Sequence, residues 1–365
     1  MSRPRMGWDM PQGSGSRGIT LSRVLQGALS LAVIGVIFLY FLPRIVDYGE
    51  VAATIKAMTW IEVLSLLVLA VWNQATYSIL EVSARPGLNY WQAMKITLTS
   101  TAISNTLPAG GALGVGVQTG MYISYGFSKA DITISMMVTG VWNTFVKLAM
   151  PIAALSLLAA AGGAGKGLLA AALVGVLVLV LAVCFFGMAL RSERGALVVG
   201  RLVGRLIGPL LKLFRRPPLK DWGNGVVAFR HKTIDLLRHR WIRITAAALA
   251  SHITLFIVLL STLRHVGVSS SEVSWPEALA AFAFVRLISA VPITPGGLGV
   301  VELGATAALV AAGGGRAEVV AAVLVFRVLT FVFPIPLGGI AYLFWRKGAA
   351  ARLLAREGLA GARTG

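Results

Sequence analysis

Six long apolar runs in this sequence leave a membrane-spanning helical protein as the main possibility. A helix that crosses a bilayer needs roughly 20 consecutive residues of mainly apolar character. The runs are Val24–Leu42, Ile61–Leu80, Thr133–Ala160, Leu168–Leu190, Ile244–Leu263 and Val319–Trp345. Because 57% of the residues are hydrophobic and only 13% are charged, the composition excludes an ordinary soluble globule. We predict an all-α polytopic membrane protein with about six full spans.

Two further apolar regions, Trp91–Gly126 and Trp275–Gly313, are interrupted near their middle by proline and glycine. Their arms are only about 13 to 17 residues long, which is too short to cross a bilayer. Irregular backbone survives at membrane depth only when it is buried in protein or lines a wet cavity. We therefore predict two re-entrant helical hairpins. The predicted turns contain Asn105, Pro108, Gly110 and Gly111 in the first hairpin, and Pro292, Thr294, Pro295, Gly296, Gly297 and Gly299 in the second.

The two interrupted regions have tryptophan, proline and glycine residues at matching spacings. Trp91 precedes Pro108 by 17 positions, and Trp275 precedes Pro292 by 17. In each region a proline then precedes a glycine by 18 positions, and an acidic residue follows shortly after that glycine. This ordered series of matches predicts an internal duplication.

The distribution of charge predicts how the chain is oriented. Segment 191–243 holds 13 Lys and Arg residues against three acidic ones, and loops rich in Lys and Arg face the cytoplasm. Both termini are then inside, whether Val24–Leu42 is an uncleaved span or a signal anchor. The first hairpin enters from the inside and the second from the outside, so the two units form inverted repeats, an arrangement typical of transporters.

These predictions divide the chain into successive segments. They are a polar cytoplasmic N-terminus at 1–22, a first transmembrane half at 23–190 with a hairpin at 91–126, a basic cytoplasmic linker at 191–243, a second transmembrane half at 244–346 with a hairpin at 275–313, and a cytoplasmic tail at 347–365. Within the linker, cationic side chains recur on one helical face at Arg194, Arg201, Arg205 and Lys212. This spacing predicts an amphipathic helix on anionic lipid headgroups; an ordinary solvated linker is the alternative.

Few ionisable residues lie inside the predicted spans and hairpins, and these are the candidate site residues. A charge at the bilayer centre costs from about 3 to more than 10 kcal/mol, so such a residue normally faces a cavity or a partner. The candidates for contact with a substrate are Arg286, Arg327, Glu302, Lys147 and Asn143. A purely structural ion pair of Glu302 with either arginine is the alternative, as is a Lys147 that extends to the interface. We interpret His252 as a packed polar residue.

The glycine-rich turns suit a phosphate, because helices that begin after Gly111 and Gly299 would direct free N–H groups toward the membrane interior. The sequence has no phosphate-binding Walker loop, no zinc-protease motif and no cluster of paired carboxylates. We therefore predict neither an enzyme nor a metal or cofactor site. The net charge of +19 indicates anionic lipid as the partner, and not nucleic acid.

Several motifs resemble a known family. Pro292-Ile-Thr-Pro-Gly-Gly-Leu-Gly-Val-Val-Glu302, followed by Val325-Phe-Arg327 and Pro334–Gly339, is similar to the lysylphosphatidylglycerol synthase transmembrane-region family, the flippase-like membrane domain of the multiple peptide resistance factor. Ser104–Gly111 and Gly140–Asn143 resemble the first-half motif of one branch. Many relatives carry Gly-Glu and a following Arg after the first-half proline, whereas Gly110–Gly114 here has neither. The resemblance implies the membrane half alone, without the soluble aminoacyltransferase domain.

The resemblance implies a protein of the cytoplasmic membrane that moves a lipid with a charged headgroup between leaflets. The lipid could be aminoacyl-phosphatidylglycerol or a polyprenyl-phosphate-linked molecule. An accessory subunit or scaffold for a lipid-modifying enzyme or a glycosyltransferase is the alternative. An intramembrane transferase is disfavoured, because no second carboxylate accompanies Glu302.

Overall fold

The computed structural model describes residues 48–107, 110–160, 166–213, 222–289 and 297–361. Within these ranges the fold is entirely helical and contains no strand. The helices are α1 Tyr48–Lys56, α2 Trp60–Ala84, α3 Tyr90–Thr106, α4 Gly110–Ser124, α5 Lys129–Ala160, α6 Lys166–Arg191, α7 Glu193–Leu213, α8 Trp222–His265, α9 Trp275–Ile288, α10 Val300–Ala311, α11 Arg316–Arg327 and α12 Pro334–Gly361. A π-helical segment, Val328–Val332, joins α11 to α12.

Five helical stretches in the described ranges are long and apolar enough to cross a membrane. They are Trp60–Ala84, Lys129–Ala160, Leu173–Arg191, Thr233–His265 and Arg316–Gly348. Each contains one of the apolar runs found in the sequence, or most of it, so the prediction of a multi-pass helical membrane protein is confirmed. The remaining run, Val24–Leu42, lies outside the described residues.

Helix α8 begins well before the apolar run that it contains. The run starts at Ile244, but the helix starts at Trp222 and continues without interruption to His265. No proline lies between these two residues, and Arg, Lys and Leu are good helix formers. Hydropathy therefore marks where the helix becomes apolar, not where it begins. The basic segment 191–243 is helical in its described parts, as α7 and the first half of α8.

Two pairs of short helices correspond to the interrupted regions. Helices α3 and α4 have 17 and 15 residues, α9 and α10 have 14 and 12, and the two members of each pair pack together. Gly299, with φ of 83°, directly precedes α10, and Gly297 also has a positive φ of 69°. Side chains rarely adopt this left-handed region, so glycine permits the chain to turn here.

Not all predicted turn residues lie in turns. Gly110 and Gly111 lie in the first turn of α4, which therefore starts two positions earlier than the sequence indicates. Asn105 lies in the last turn of α3. Five predicted turn residues lie outside the described ranges, namely Pro108, Pro292, Thr294, Pro295 and Gly296.

Each short-helix pair packs against a long helix from the opposite half of the chain. Helix α3 contacts α12, α9 contacts α5, and the long helices α2 and α8 contact each other. Helices α3 and α12 approach closely at Gly338 of α12, where an added Cβ atom would overlap the backbone of Leu98 in α3. The side chain of Asn73 in α2 donates to the carbonyl of Ser251 in α8 over 3.0 Å. Together with these contacts, α3 of the first pair and both helices of the second pair line one cavity.

Candidate functional site

A cavity of about 290 Å³ lies among α2, α3, α8, α9, α10, α11 and the π-helical segment. Its wall includes apolar residues such as Leu255, Phe282 and Val301, together with amide, hydroxyl and guanidinium groups. The polar and charged residues that line the cavity are Asn73, Gln74, Tyr77, Thr97, Thr101, Asn105, Arg286, Ser289, Arg327 and Thr330. Two of the predicted site residues, Arg286 and Arg327, are therefore brought to one cavity.

Glu302 pairs with Arg327, which decides between the two partners that the sequence left open. Arg327 Nε lies 2.7 Å from Glu302 Oε1, and the glutamate side chain is only 2% exposed. The other carboxylate oxygen accepts the backbone N–H of Gly299 at 2.6 Å. One glutamate thus ties the start of α10 to the end of α11. The Arg327 guanidinium also stacks on the ring of Phe331, 4.7 Å from its centroid.

Arg286 lines the same cavity but, unlike Arg327, pairs with no carboxylate among the described residues. Its Nε is buried without a hydrogen-bond partner, and no ion pair of Arg286 occurs within the described part of the chain. A buried donor left unsatisfied costs about 1–3 kcal/mol, and more when it is charged. An anion in the cavity would be attracted by the charge of this guanidinium, and the neighbouring Arg327 would add to the attraction.

Lys147 and Asn143 lie behind the cavity wall, on the helix α5 that packs against α9. Neither side chain lines the cavity, but Lys147 is close enough to Arg286 for their positive charges to interact. His252 of α8, which is 1% exposed, also experiences both charges. The Oδ1 atom of Asn143 and the Nε2 atom of His252 are buried without hydrogen-bond partners. Lys147 therefore strengthens the positive field around Arg286 without contacting a ligand in the cavity.

The π-helical segment that follows Arg327 forms part of the cavity wall. Such single-turn widenings are frequent at functional sites, because they release backbone groups from the regular ladder. The side chain of Asn105 donates to the carbonyl of Phe331 in this segment over 2.9 Å. The last turn of α3 is thereby joined to the widened turn beside Arg327.

The sequence interpretation missed the polar residues of α2 and α3. Asn73 and Gln74 are buried and line the cavity together with Thr97 and Thr101. The sequence did contain a signal for Asn73 and Gln74, because adjacent amide side chains in the middle of an apolar span normally face a cavity or a partner. His252, which we excluded as a packing residue, lies near Lys147 and Arg286.

Comparison with known proteins identifies a family. The sequence model of a family described as the lysylphosphatidylglycerol synthase TM region matches residues 27–338 of the 365-residue chain. The matched range includes every residue that lines the cavity, and the resemblance found in the sequence motifs is confirmed. No curated protein matches the chain.

Proposed function

Because the chain belongs to the lysylphosphatidylglycerol synthase TM-region family, we propose that it transports a lipid with an anionic headgroup between the two leaflets of the cytoplasmic membrane. The family consists of membrane domains related to lipid modification or flipping. In this proposal the headgroup occupies the cavity beside Arg286 and Arg327, and the acyl chains stay in the surrounding lipid. The proposed mechanism has no chemical step.

Arg286 is the observation that carries the proposal. It places a guanidinium on the cavity wall without an anionic partner in the described residues, whereas Arg327 is already paired with Glu302. Guanidinium binds phosphate in a bidentate geometry, with charge-assisted hydrogen bonds. A phosphate-bearing headgroup is therefore the ligand class that best satisfies this residue.

The size of the cavity supports binding of a headgroup and not of a whole lipid. Its volume of about 290 Å³ is just below the roughly 300–1,000 Å³ typical of small-molecule sites. On the same helix as Arg286, the side chains of Phe284 and Leu287 are exposed, as expected for residues that face acyl chains. Helix α9 would thus separate the polar cavity from the lipid.

The packing pattern supports the proposal that the two halves are inverted repeats with re-entrant hairpins. Each short-helix pair contacts a long helix of the opposite half, and all four short helices have fewer than the roughly 20 residues needed to cross. Transporters of this architecture move substrate by rocking one repeat against the other around a central site. With the basic segment 191–243 inside, both termini would be cytoplasmic.

A leaflet-exposure assay tests the proposal. Purified protein is reconstituted into vesicles that contain a reporter phosphatidylglycerol, and the rate at which the reporter reaches the outer leaflet is measured. We expect Arg286→Gln to lower this rate at least tenfold, because the main contact with the phosphate is lost. Arg316→Gln is the matched control, since Arg316 is exposed at the start of α11 and does not line the cavity. Equal rates for wild type and Arg286→Gln would refute the proposal.

One observation favours a second function, as a membrane scaffold for a lipid-modifying enzyme or a glycosyltransferase. Helix α7 exposes Arg194, Arg201 and Arg205, so the basic segment has a cationic surface available for docking. Neutralising these three arginines should abolish co-purification of such an enzyme if the scaffold function is correct. The leaflet-exposure rate would then be equal with and without the protein.

A further inference from the structure

A second cavity, of about 510 Å³, lies at the C-terminal end of α2, where the start of α5 and the first half of α8 meet. It shares no lining residue with the first cavity. The first cavity contacts α2 as far as Tyr77, which is 8 residues before Arg85, or about 12 Å along a helix. The second cavity is thus a separate space near the end of the span.

Arg85 is the central residue of this cavity. It is only 1% exposed, its Nη2 donates to the hydroxyl of Ser135, and its guanidinium carbon lies 3.3 Å from the ring centroid of Tyr122. Its Nε and Nη1 atoms are buried without a hydrogen-bond partner. A buried guanidinium with two unused donors is strongly unfavourable unless a ligand accepts from them.

The nearby carboxylates offset part of the charge of Arg85 without satisfying these donors. Glu81 and Asp131 are close enough to interact with its charge. However, Glu81 accepts hydrogen bonds from Tyr122 at 2.6 Å and Gln118 at 3.4 Å. Asp131 accepts from Ser128 at the start of α5. Both carboxylates are thus engaged in holding the cavity wall, and the two unused donors require another acceptor.

The charges that line the cavity indicate which ligand would fit. Arg240 adds a second guanidinium, and Asp131 and Asp235 contribute two carboxylates, so the two signs balance. His239 also lines the cavity. A simple anion would gain from the arginines but would be repelled by the carboxylates. A ligand that carries both a phosphate and an amine complements both sets of charges.

We propose that the second cavity binds a zwitterionic phosphate–amine group, with the phosphate on Arg85 and Arg240 and the amine on Asp235. The source is either the headgroup of a phosphatidylethanolamine-type lipid or a soluble phosphoethanolamine, since both present the same chemistry. The cavity volume falls within the range of small-molecule sites. The proposal does not depend on the transport function proposed above.

Calorimetric titration of the purified protein in a neutral detergent tests this assignment. The ligands are a short-chain phosphatidylethanolamine, soluble phosphoethanolamine and inorganic phosphate. We expect a zwitterionic ligand to bind more tightly than inorganic phosphate. Binding of the short-chain lipid alone identifies a lipid site, whereas equal binding of phosphoethanolamine identifies a soluble ligand. Saturable binding of neither zwitterion would overturn the proposal.

Three variants separate the roles of the charges. Arg85→Gln and Arg240→Gln should each weaken binding of the zwitterion about tenfold or more. Asp235→Asn should weaken binding of the zwitterion but leave binding of inorganic phosphate unchanged. Arg238→Gln is the control, because Arg238 is an exposed arginine on the same helix that does not line this cavity. Arg240 is less buried than Arg85, so Arg240→Gln keeps the test valid if Arg85→Gln does not fold.

Two results would overturn the assignment. Unchanged affinity in Arg240→Gln would show that the phosphate binds elsewhere, and unchanged affinity in Asp235→Asn would remove the basis for the amine. Repeating the titrations with Arg286→Gln separates the two cavities, since this substitution removes a cation from the first cavity alone. Loss of zwitterion binding in Arg286→Gln would place the ligand in the first cavity and contradict the proposal.

Discussion

Replacement of Glu302 by glutamine tests the ion pair that ties the second short-helix pair to α11. The carboxylate uses one oxygen for Arg327 Nε and the other for the Gly299 N–H. A glutamine of the same shape offers one oxygen and one NH₂ group, so one of the two donors must face another donor. Breaking a buried ion pair by neutralising one partner typically costs about 3–5 kcal/mol. Because Arg327 is 13% exposed, we expect the free energy of unfolding to fall by about 3 kcal/mol.

The matched control for this substitution is Glu277→Gln. Glu277 occupies the corresponding position in the first turn of α9, where it accepts from the N–H and hydroxyl of Ser274 at 2.8 and 2.6 Å. It forms no ion pair within the described residues, so its replacement should cost only about 1 kcal/mol, as for other helix caps. The difference between the two variants therefore isolates the contribution of Arg327.

Reversible unfolding in mixed detergent micelles measures both variants. We expect Glu302→Gln to lose about 2 kcal/mol more than Glu277→Gln. The double variant Glu302→Gln/Arg327→Gln should recover part of this loss, because it no longer leaves a buried unpaired charge. Equal losses in the two single variants would refute the view that Glu302 acts through Arg327.

Two further predictions test the contacts between the halves of the chain, with the same unfolding measurement. Gly338→Ala should lower the free energy of unfolding by about 1–3 kcal/mol, because the new Cβ atom would overlap the backbone of Leu98. Gly339→Ala is the control and should cost less, because its new Cβ atom would meet no neighbouring side chain or backbone within 4 Å. Equal costs for the two variants would contradict the close packing of α3 on α12. Asn105→Ala should cost about 1–2 kcal/mol, since the carbonyl of Phe331 then loses its donor; an unchanged stability would show that this bond does not hold the π-helical segment.

The sequence was sufficient for the five candidate spans that the described residues contain, because bilayer thickness sets a length that hydropathy reveals directly. It also indicated Glu302, since an acidic residue in an apolar region needs a partner. It did not distinguish Arg286 from Arg327 as that partner, because both arginines are distant from Glu302 along the chain and only the packing of α9 and α11 around α10 decides which one reaches it.

The start of α8 and the role of Arg85 were missed for related reasons. Apolar periodicity gives no signal where a helix continues into basic sequence, so the helix appeared to begin at Ile244 and not at Trp222. Arg85 follows directly after a span, where an arginine ordinarily reaches the interface. Its burial depends on Tyr122 and Ser135, which come from two other helices.

The most direct test of the central claim is the identity of the lipid that co-purifies with the protein. Native mass spectrometry of wild type, Arg286→Gln and Arg316→Gln, each isolated in a mild detergent, measures which lipid is retained and in what proportion. A headgroup held in the first cavity predicts an anionic phospholipid bound to wild type and Arg316→Gln, and at least tenfold less of it bound to Arg286→Gln. The same lipid bound equally to all three proteins would contradict the assignment of the cavity as the headgroup site.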